Sequence, residues 1–178
     1  MLSKMKSLAV VMCTSVFALS AANADTDGQN VIYVGSGSAK SSNSSTNSSN
    51  PATLGYLRLS NTSDTVWGFD VSGEGTMLDS TWGQHNSAQQ ATAFNFLFGK
   101  NLNKTENSRI DAAFIAGIRE TASSCPSSYL GYQCYADQKP DKSYGFNGGV
   151  ALTWIYKSFM VGARITGESK QALVGFKF

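Results

Sequence analysis

Much of the chain after residue 50 alternates between apolar and polar or small side chains with a period of two. The run 109–119 is the clearest case, with Phe114 and Ile118 on one parity and Asp111 and Arg119 on the other. Because successive side chains of a β-strand point to opposite faces, such a run predicts a strand with one apolar and one polar face.

The same pattern predicts eight strands. Their approximate bounds are 30–39, 52–60, 65–74, 90–99, 109–119, 144–154, 159–166 and 171–178. In the second strand we expect Leu57 and Leu59 to point outward and Arg58 inward. The first strand is ambiguous, because apolar residues occupy both of its faces.

The segments between these strands differ in length in a regular way. Short turns are predicted near 61–64, 101–107 and 156–158, and the connections on the other side span 40–51, 75–89, 120–143 and the short 167–170. Even strand number with short inner turns and long outer loops is typical of a transmembrane β-barrel. A soluble lipocalin-like barrel is the structural alternative, and it would place its apolar faces inward.

The N-terminus has the features of an export signal. Residues 1–24 contain two lysines, a mostly apolar run over 8–19 and a small-x-small site at 22–24. We expect cleavage there, which leaves 25–178 as one barrel domain. The apolar run is shorter than the roughly 20 residues of a membrane-anchoring helix. Cys13 lies inside that run, not at its end, so a lipoprotein is disfavoured.

Charge and cysteine content narrow the possible partners. The chain has 14 basic and 12 acidic residues; removal of two lysines with the signal leaves 12 and 12, so the formal net charge falls from +2 to 0. No basic field remains that would attract nucleic acid.

Cys125 and Cys134 are predicted to form a disulfide in an oxidising compartment.

The chain ends in Leu173-Val174-Gly175-Phe176-Lys177-Phe178, an aromatic last residue with apolar residues two and four positions before it. This ending resembles the C-terminal signature of bacterial outer-membrane proteins. The whole mature chain resembles the small outer-membrane β-barrel superfamily of Gram-negative bacteria that includes the OmpA transmembrane domain and OmpX.

The resemblance implies an all-β fold, an eight-stranded antiparallel up-and-down transmembrane barrel in the cell outer membrane. It also implies contact with outer-membrane lipids and lipopolysaccharide, and recognition of the last strand by the barrel-assembly machinery. Functions in the superfamily range over adhesion, envelope structure, lipid enzymology and solute passage, so the fold does not choose among them.

An eight-stranded barrel is just wide enough for its own side chains to fill the lumen. The charged residues predicted to point inward are Arg58, Asp70, Glu74, Arg109, Asp111, Arg119, Arg164 and Lys177. Since buried charges require partners, we expect Glu74 to pair with Arg119 or Arg164 near the outer end, and Asp70 and Asp111 to pair with Arg58, Arg109 or Lys177 nearer the periplasm. The favoured interpretation is a plug of ion pairs; the alternative is a proton or ion path.

Aromatic residues are predicted to form a girdle at the periplasmic membrane interface, where amphipathic rings are favoured. Its members are Trp67, Trp154, Tyr156, Phe159 and Phe178.

The outer loops are the predicted contact surface. Residues 41–50 are almost wholly Ser, Asn and Thr, and form either a solvated cover for the rim or a ligand contact. The loop closed by Cys125 and Cys134 contains Tyr129, Tyr132 and Leu130 and is the better candidate for an extracellular ligand.

One weak motif suggests an enzyme. His85 is the only histidine, and with Ser87 it gives an HxS spacing similar to that of outer-membrane lipid A deacylases. The acids nearest upstream are Glu74 and Asp79, whereas that pattern needs a downstream acid, and Glu106 falls at the opposite membrane face. We therefore expect no catalysis. No metal-ligand cluster, phosphate loop or nucleotide motif is present, and no cofactor is expected.

Overall fold

The computed structural model describes the backbone of residues 28–39, 50–80, 87–124 and 141–178, and the side chains of these except 78–80, 87–89, 122–124 and 141. Its elements are β1 (Gly28–Ala39), β2 (Ala52–Ser60), β3 (Thr65–Ser80), β4 (Ser87–Lys104), β5 (Ser108–Ser124), β6 (Asp141–Tyr156), β7 (Phe159–Thr166) and β8 (Ser169–Lys177). Within these ranges no helix is long and apolar enough to cross a membrane.

The eight strands form one closed antiparallel barrel in which each strand pairs with its neighbours in sequence, and β1 pairs with β8. At the closure Val34 lies opposite Val174. Asn30 and Phe178 exchange backbone hydrogen bonds of 3.1 and 2.9 Å. We call the end that carries the turns 61–64, 105–107 and 157–158 the inner end, and the opposite end the outer end.

The predicted number, order and pairing of strands are confirmed, but β1 and β8 are slightly longer than predicted and four other strands are much longer. β3, β4, β5 and β6 contain 16, 18, 17 and 16 residues, whereas β2, β7 and β8 contain 9, 8 and 9. A transmembrane strand needs about 9 to 11 residues, so the long strands extend the wall beyond a bilayer. The inner turn predicted at 101–107 is correspondingly shorter, because 101–104 still pair with β5 past a bulge.

The apolar faces point outward. Among the described residues, 23 large hydrophobic side chains are exposed, and Phe114 and Phe146 reach 73% and 78%. A water-soluble monomer rarely exposes so much contiguous apolar surface. An outward apolar band around a polar interior is the arrangement of a transmembrane barrel and the reverse of the lipocalin-like alternative.

The expected orientation of β2 is wrong. Leu57 and Leu59 are buried in the lumen, and Arg58 lies on the outer face. The reason is local: Tyr33 of β1 pairs with Gly55, and a Cβ at Gly55 would collide with the Tyr33 ring. Because directly opposite residues share a face of the sheet, the inward Tyr33 places Gly55 inward, where only glycine leaves room for the ring, and the parity of the strand puts the leucines inside with it.

The same contact removes the ambiguity in β1. Val31 and Tyr33 are almost fully buried in the lumen, whereas Val34 is 50% exposed on the outer face. On the outside, Arg58 donates from Nη1 to Asn30 Oδ1 at 2.8 Å. Its long side chain can place the guanidinium at the inner membrane interface while its methylenes remain against the wall.

Candidate functional site

The outer half of the lumen is organised around the carboxylate of Glu74, which accepts four side-chain hydrogen bonds. Arg164 Nη2 and Ser72 Oγ donate to Oε1 at 2.7 and 3.0 Å. Thr166 Oγ1 and Ser169 Oγ donate to Oε2 at 2.5 and 2.7 Å. Glu74 is fully buried, and these donors replace the water that an ionised carboxylate loses on burial.

The network continues inward to a second buried carboxylate. Asp70 lies 3.7 Å from Arg164 Nη1 and accepts hydrogen bonds from Asn95 Nδ2 at 2.6 Å and from the Tyr33 hydroxyl at 2.9 Å. Asn147 Nδ2 donates to Asn95 Oδ1 at 2.7 Å. One guanidinium thus lies between two carboxylates, and amides and a phenol satisfy the remaining oxygens.

Strand parity explains how six strands, β1, β3, β4, β6, β7 and β8, bring these groups together. Residues 70, 72 and 74 are successive inward positions of β3, and Arg164 and Thr166 are successive inward positions of β7. Just beyond Glu74 the β3–β4 register shifts by a bulge between Gly73 and Thr76. Gly75 there has a φ of 70°, which glycine adopts without strain.

The inner half of the lumen is apolar. Its buried cluster consists of Val31, Tyr33, Leu57, Leu59, Val66, Leu97, Ala113, Ile115, Ala151, Ile155, Met160 and Leu173. We call this set the apolar tier, and the residues around Glu74, Asp70 and Arg164 the polar tier. Tyr33 belongs to both, because its ring packs in the apolar tier and its hydroxyl donates to Asp70.

A separate charged pair lies at the inner end, below the apolar tier. Arg109 Nε is 2.7 Å from Asp111 Oδ1, and both side chains are buried. Arg109 Nη1 donates to the Ser60 carbonyl at 2.8 Å, and Asn101 Nδ2 donates to Asp111 Oδ1 at 2.9 Å. Lys177 lies near this end and is partly exposed.

At the outer rim, Arg119 spans the mouth of the barrel. Its Nη2 lies 3.4 Å from Glu168 Oε1 in the β7–β8 turn, and its Nη1 donates to the Glu74 carbonyl at 3.3 Å. On the outer wall above it, Lys142 pairs with Glu120 at 3.0 Å. Both rim pairs are more exposed than the Glu74–Arg164 pair.

Seven of the eight charged residues predicted to point inward lie at inward positions of their strands, and Arg58 does not. The structure brings Glu74, Asp70 and Arg164 together and separates them from Arg109 and Asp111. The predicted pairing of Asp70 with Arg58, Arg109 or Lys177 is therefore wrong, because its cation is Arg164, whereas Asp111 pairs with Arg109 as predicted. Arg119 reaches the backbone carbonyl of Glu74, not its carboxylate. The neutral members of the network were missed, although their signal was present in the sequence as polar residues on inward parity: Thr53, Asn95, Asn147, Thr166, Ser169 and Gln171.

The girdle residues are exposed at the inner end of the barrel. The rings of Trp154 and Tyr156 are 6.1 Å apart, and Phe159 packs edge-on against Phe176 at 6.1 Å. Trp67 contacts Tyr56 at 6.3 Å. Tyr56 and Phe176 extend the predicted set, since Phe176 lies opposite Phe159, and Tyr56, which lies opposite Phe69, contacts Trp67 diagonally.

Several predicted features lie outside the described residues. These are the export signal, Cys125, Cys134 and His85; for Ser87 only the backbone is described, as the first residue of β4. The described side chains contain no group of three or more His, Cys, Asp or Glu that could hold a metal ion.

The closed eight-stranded sheet with its apolar wall outside decides the architecture. The chain is a closed eight-stranded antiparallel β-barrel with its large apolar side chains on the outer face. No family model and no curated protein matches it.

Solved structures that this chain is similar to include Ail, the attachment invasion locus protein of Yersinia pestis, in complex with the heparin analogue sucrose octasulfate. The identity is 15%, the TM-score is 0.45, and 85% of this chain and 99% of Ail are covered. A structure of Ail in a phospholipid bilayer nanodisc matches with 13% identity, a TM-score of 0.45 and coverage of 85% and 100%.

Proposed function

We propose that this protein is exported with loss of residues 1–24, is inserted into the outer membrane by the barrel-assembly machinery through β8, and acts there as a closed scaffold. The barrel holds long hairpins and loops at the cell surface, where they contribute to envelope structure or contact an extracellular ligand. It neither conducts solutes nor catalyses a reaction.

The filled lumen is the observation that carries this proposal. The apolar tier fills the inner half with side chains such as Leu57, Leu97 and Leu173, all at most 2% exposed. Above it, Arg164 is 1% exposed and is held by two carboxylates. A water-filled path would need hydrated groups along the whole length of the barrel, and the apolar tier interrupts any such path.

The uneven height of the wall supports a surface role. β3 with β4, and β5 with β6, remain paired as far as Ser80 opposite Ser87 and Ser124 opposite Asp141. These two hairpins are more regular than loops and rise beyond the strand length that a bilayer requires. They are suited to hold the connecting segments away from the membrane.

Conductance in planar bilayers tests the closed lumen. The wild-type barrel should give no steady channels. A variant with Leu57→Ala, Leu97→Ala and Leu173→Ala, which removes much of the apolar tier, should give reproducible current steps and serves as the control for insertion. Large steady channels from the wild-type protein would overturn the proposal.

Surface contact and the absence of catalysis are tested on cells that express the protein. Deletion of residues 124–135 should reduce binding of the cells to extracellular matrix or host-cell ligands, with heat-modifiable gel migration as the control for a folded barrel. An unchanged binding profile contradicts a role for that loop.

Mass spectrometry of lipid A from these cells should show no loss of an acyl chain, and such a loss would instead support the His85–Ser87 alternative.

A further inference from the structure

The inner mouth of the lumen contains a small pocket that the closed scaffold does not use. Its volume is about 50 Å³, and it is lined by the turn 104–108 and by the strand residues Gln29, Arg109, Ile155 and Lys177. Ile155 also belongs to the apolar tier. The pocket therefore faces the inner side of the barrel and ends blindly where the apolar tier begins.

Strand parity brings the polar lining residues to one place. Gln29 shares the inward parity of Val31, and Lys177 of β8 lies directly opposite Val31. Arg109 of β5 lies directly opposite Ile155 of β6. Because opposite residues share a face of the sheet, an amide, a guanidinium and an ammonium all occupy inward positions at the inner end of the lumen.

The guanidinium of Arg109 is only partly satisfied by its neighbours. Its Nε bonds to Asp111 Oδ1 at 2.7 Å, and its Nη1 donates to the Ser60 carbonyl at 2.8 Å. The third nitrogen, Nη2, has no hydrogen-bond partner among the described residues, although the side chain is only 5% exposed. A buried donor without an acceptor is costly, so Arg109 favours an additional acceptor at this site.

Lys177 is the second cation in the pocket, and it too lacks a counterion. Its ammonium forms no ion pair or hydrogen bond with any side chain that the structure describes, and the Arg109 guanidinium repels it. The acid in the lining is Glu106, which is exposed in the turn. With Lys104, the lining has three cations and one acid. The pocket is therefore positively charged.

We propose that this pocket binds a phosphate dianion, either free or as the end group of a phosphomonoester, through Lys177, Arg109 and Gln29. A dianion neutralises two cations that otherwise repel each other, and its oxygens accept charge-assisted hydrogen bonds. The pocket is far smaller than the site of a drug-sized ligand, so it holds one such group. Since the apolar tier closes the pocket, the phosphate binds without crossing the barrel. Supply from the periplasm rests on the proposed function, but binding itself does not.

Titration of the folded full-length barrel with inorganic phosphate in uncharged maltoside micelles tests this proposal, with backbone amide NMR shifts as the readout. Saturable shifts should be confined to the inner end. Lys177→Gln should weaken binding about tenfold, the effect of one charge-assisted hydrogen bond. Glu106→Gln should strengthen binding about twofold, because it removes the acid from the lining.

The matched control is Lys100→Gln. Lys100 is exposed at the inner end, opposite Thr65, and lies outside the pocket. Its loss changes the net charge of the barrel by the same amount as Lys177→Gln, yet it should leave the affinity unchanged. Equal affinity of wild type and Lys177→Gln, or shifts that do not saturate and spread over both ends of the barrel, would overturn the site.

Other anions identify the ligand. At mildly alkaline pH and constant ionic strength, acetate and chloride should bind about tenfold more weakly than phosphate, because each carries a single charge. Equal affinity for acetate overturns the dianion. Glycerol 3-phosphate separates the two sources: binding at least as tight as that of phosphate supports a phosphomonoester, and weaker binding supports free phosphate.

The test is independent of the proposed function. A barrel that binds phosphate but conducts in planar bilayers contradicts the closed scaffold alone. A closed barrel that binds no phosphate contradicts this site alone. Heat-modifiable gel migration of each sample shows whether the barrel is folded, so that misfolding of a variant is not mistaken for loss of the site.

Discussion

The outer half of the lumen is held by charged and hydroxyl groups around Glu74 and Arg164, whereas the inner half is filled by leucine, isoleucine and methionine side chains. Both halves are buried to a similar degree. They differ in how each responds to the loss of one side chain. Removal of a partner in the polar tier leaves an unpaired charge, whereas removal of a side chain in the apolar tier leaves a cavity.

The largest effect is expected from Arg164→Met. Glu74 and Asp70 then lose their common cation while buried, and the free energy of unfolding should fall by about 3 to 5 kcal/mol. Urea unfolding in detergent micelles, followed by tryptophan fluorescence, measures this loss. The control combines Arg164→Met with Glu74→Gln and Asp70→Asn. This variant also removes the two carboxylates left without a cation, and it should regain most of the lost stability. If the single variant lost less than about 1 kcal/mol, the ion pairs around Arg164 would not be what stabilises the outer half of the lumen.

The apolar tier should respond less strongly to Leu97→Ala. Leu97 is 1% exposed, and its truncation should cost about 2 to 4 kcal/mol through lost apolar contacts and a residual cavity. The same unfolding assay applies, with Leu102→Ala as the control, since Leu102 is 64% exposed on the same strand. If the two variants were equally stable, the inner half would not be a packed core.

Tyr33→Phe tests the junction between the tiers. It keeps the ring in the apolar tier and deletes the hydroxyl that donates to Asp70 at 2.9 Å. The expected loss is about 1.5 kcal/mol, as for a hydrogen bond to a charged group. Repeating the change in the Asp70→Asn background should shrink the loss, and an unchanged loss would mean that the hydroxyl does not act through Asp70.

The smallest effect is expected from Lys142→Gln on the outer wall. Lys142 pairs with Glu120 at nearly the same distance at which Arg164 meets Glu74, 3.0 against 2.7 Å, but its side chain is 54% exposed. Solvent screening limits such a pair to about 0 to 1 kcal/mol. A loss of stability as large as that of Arg164→Met would show that burial does not account for the difference in stabilisation between the two ion pairs.

Most of the wall could be predicted from the sequence. In β3 through β8 the outward parity carries a run of large apolar residues, whereas the inward parity mixes polar and small residues with single large ones such as Leu97, Ile115 and Leu173. The outward face of each of these strands therefore follows from the pattern. In β2 both parities carry large apolar groups, Leu54 and Tyr56 on one and Leu57 and Leu59 on the other. The rule that charges point inward then chose the wrong face for Arg58.

The residues of the site were less predictable than the wall. Parity places Glu74, Arg119 and Arg164 inside, but it does not fix which strands approach each other across the lumen. Arg164 reaches Glu74 because β7 and β3 face one another, whereas Arg119 is directed to the rim. The hydroxyl and amide partners carry no charge to mark them, and only the geometry of the lumen identifies them.

The sequence by itself determined the number of strands, their order and the outward faces of six of them, because side-chain alternation is a local property of an extended backbone. Tertiary structure decided the faces of β1 and β2, through the contact between Tyr33 and Gly55. Tertiary structure also decided which charged residues pair, and at which level of the lumen the polar tier ends and the apolar tier begins. Those features depend on the closure and stagger of the whole barrel, which bring together residues far apart in the sequence, such as Thr53 and Gln171, 118 positions apart.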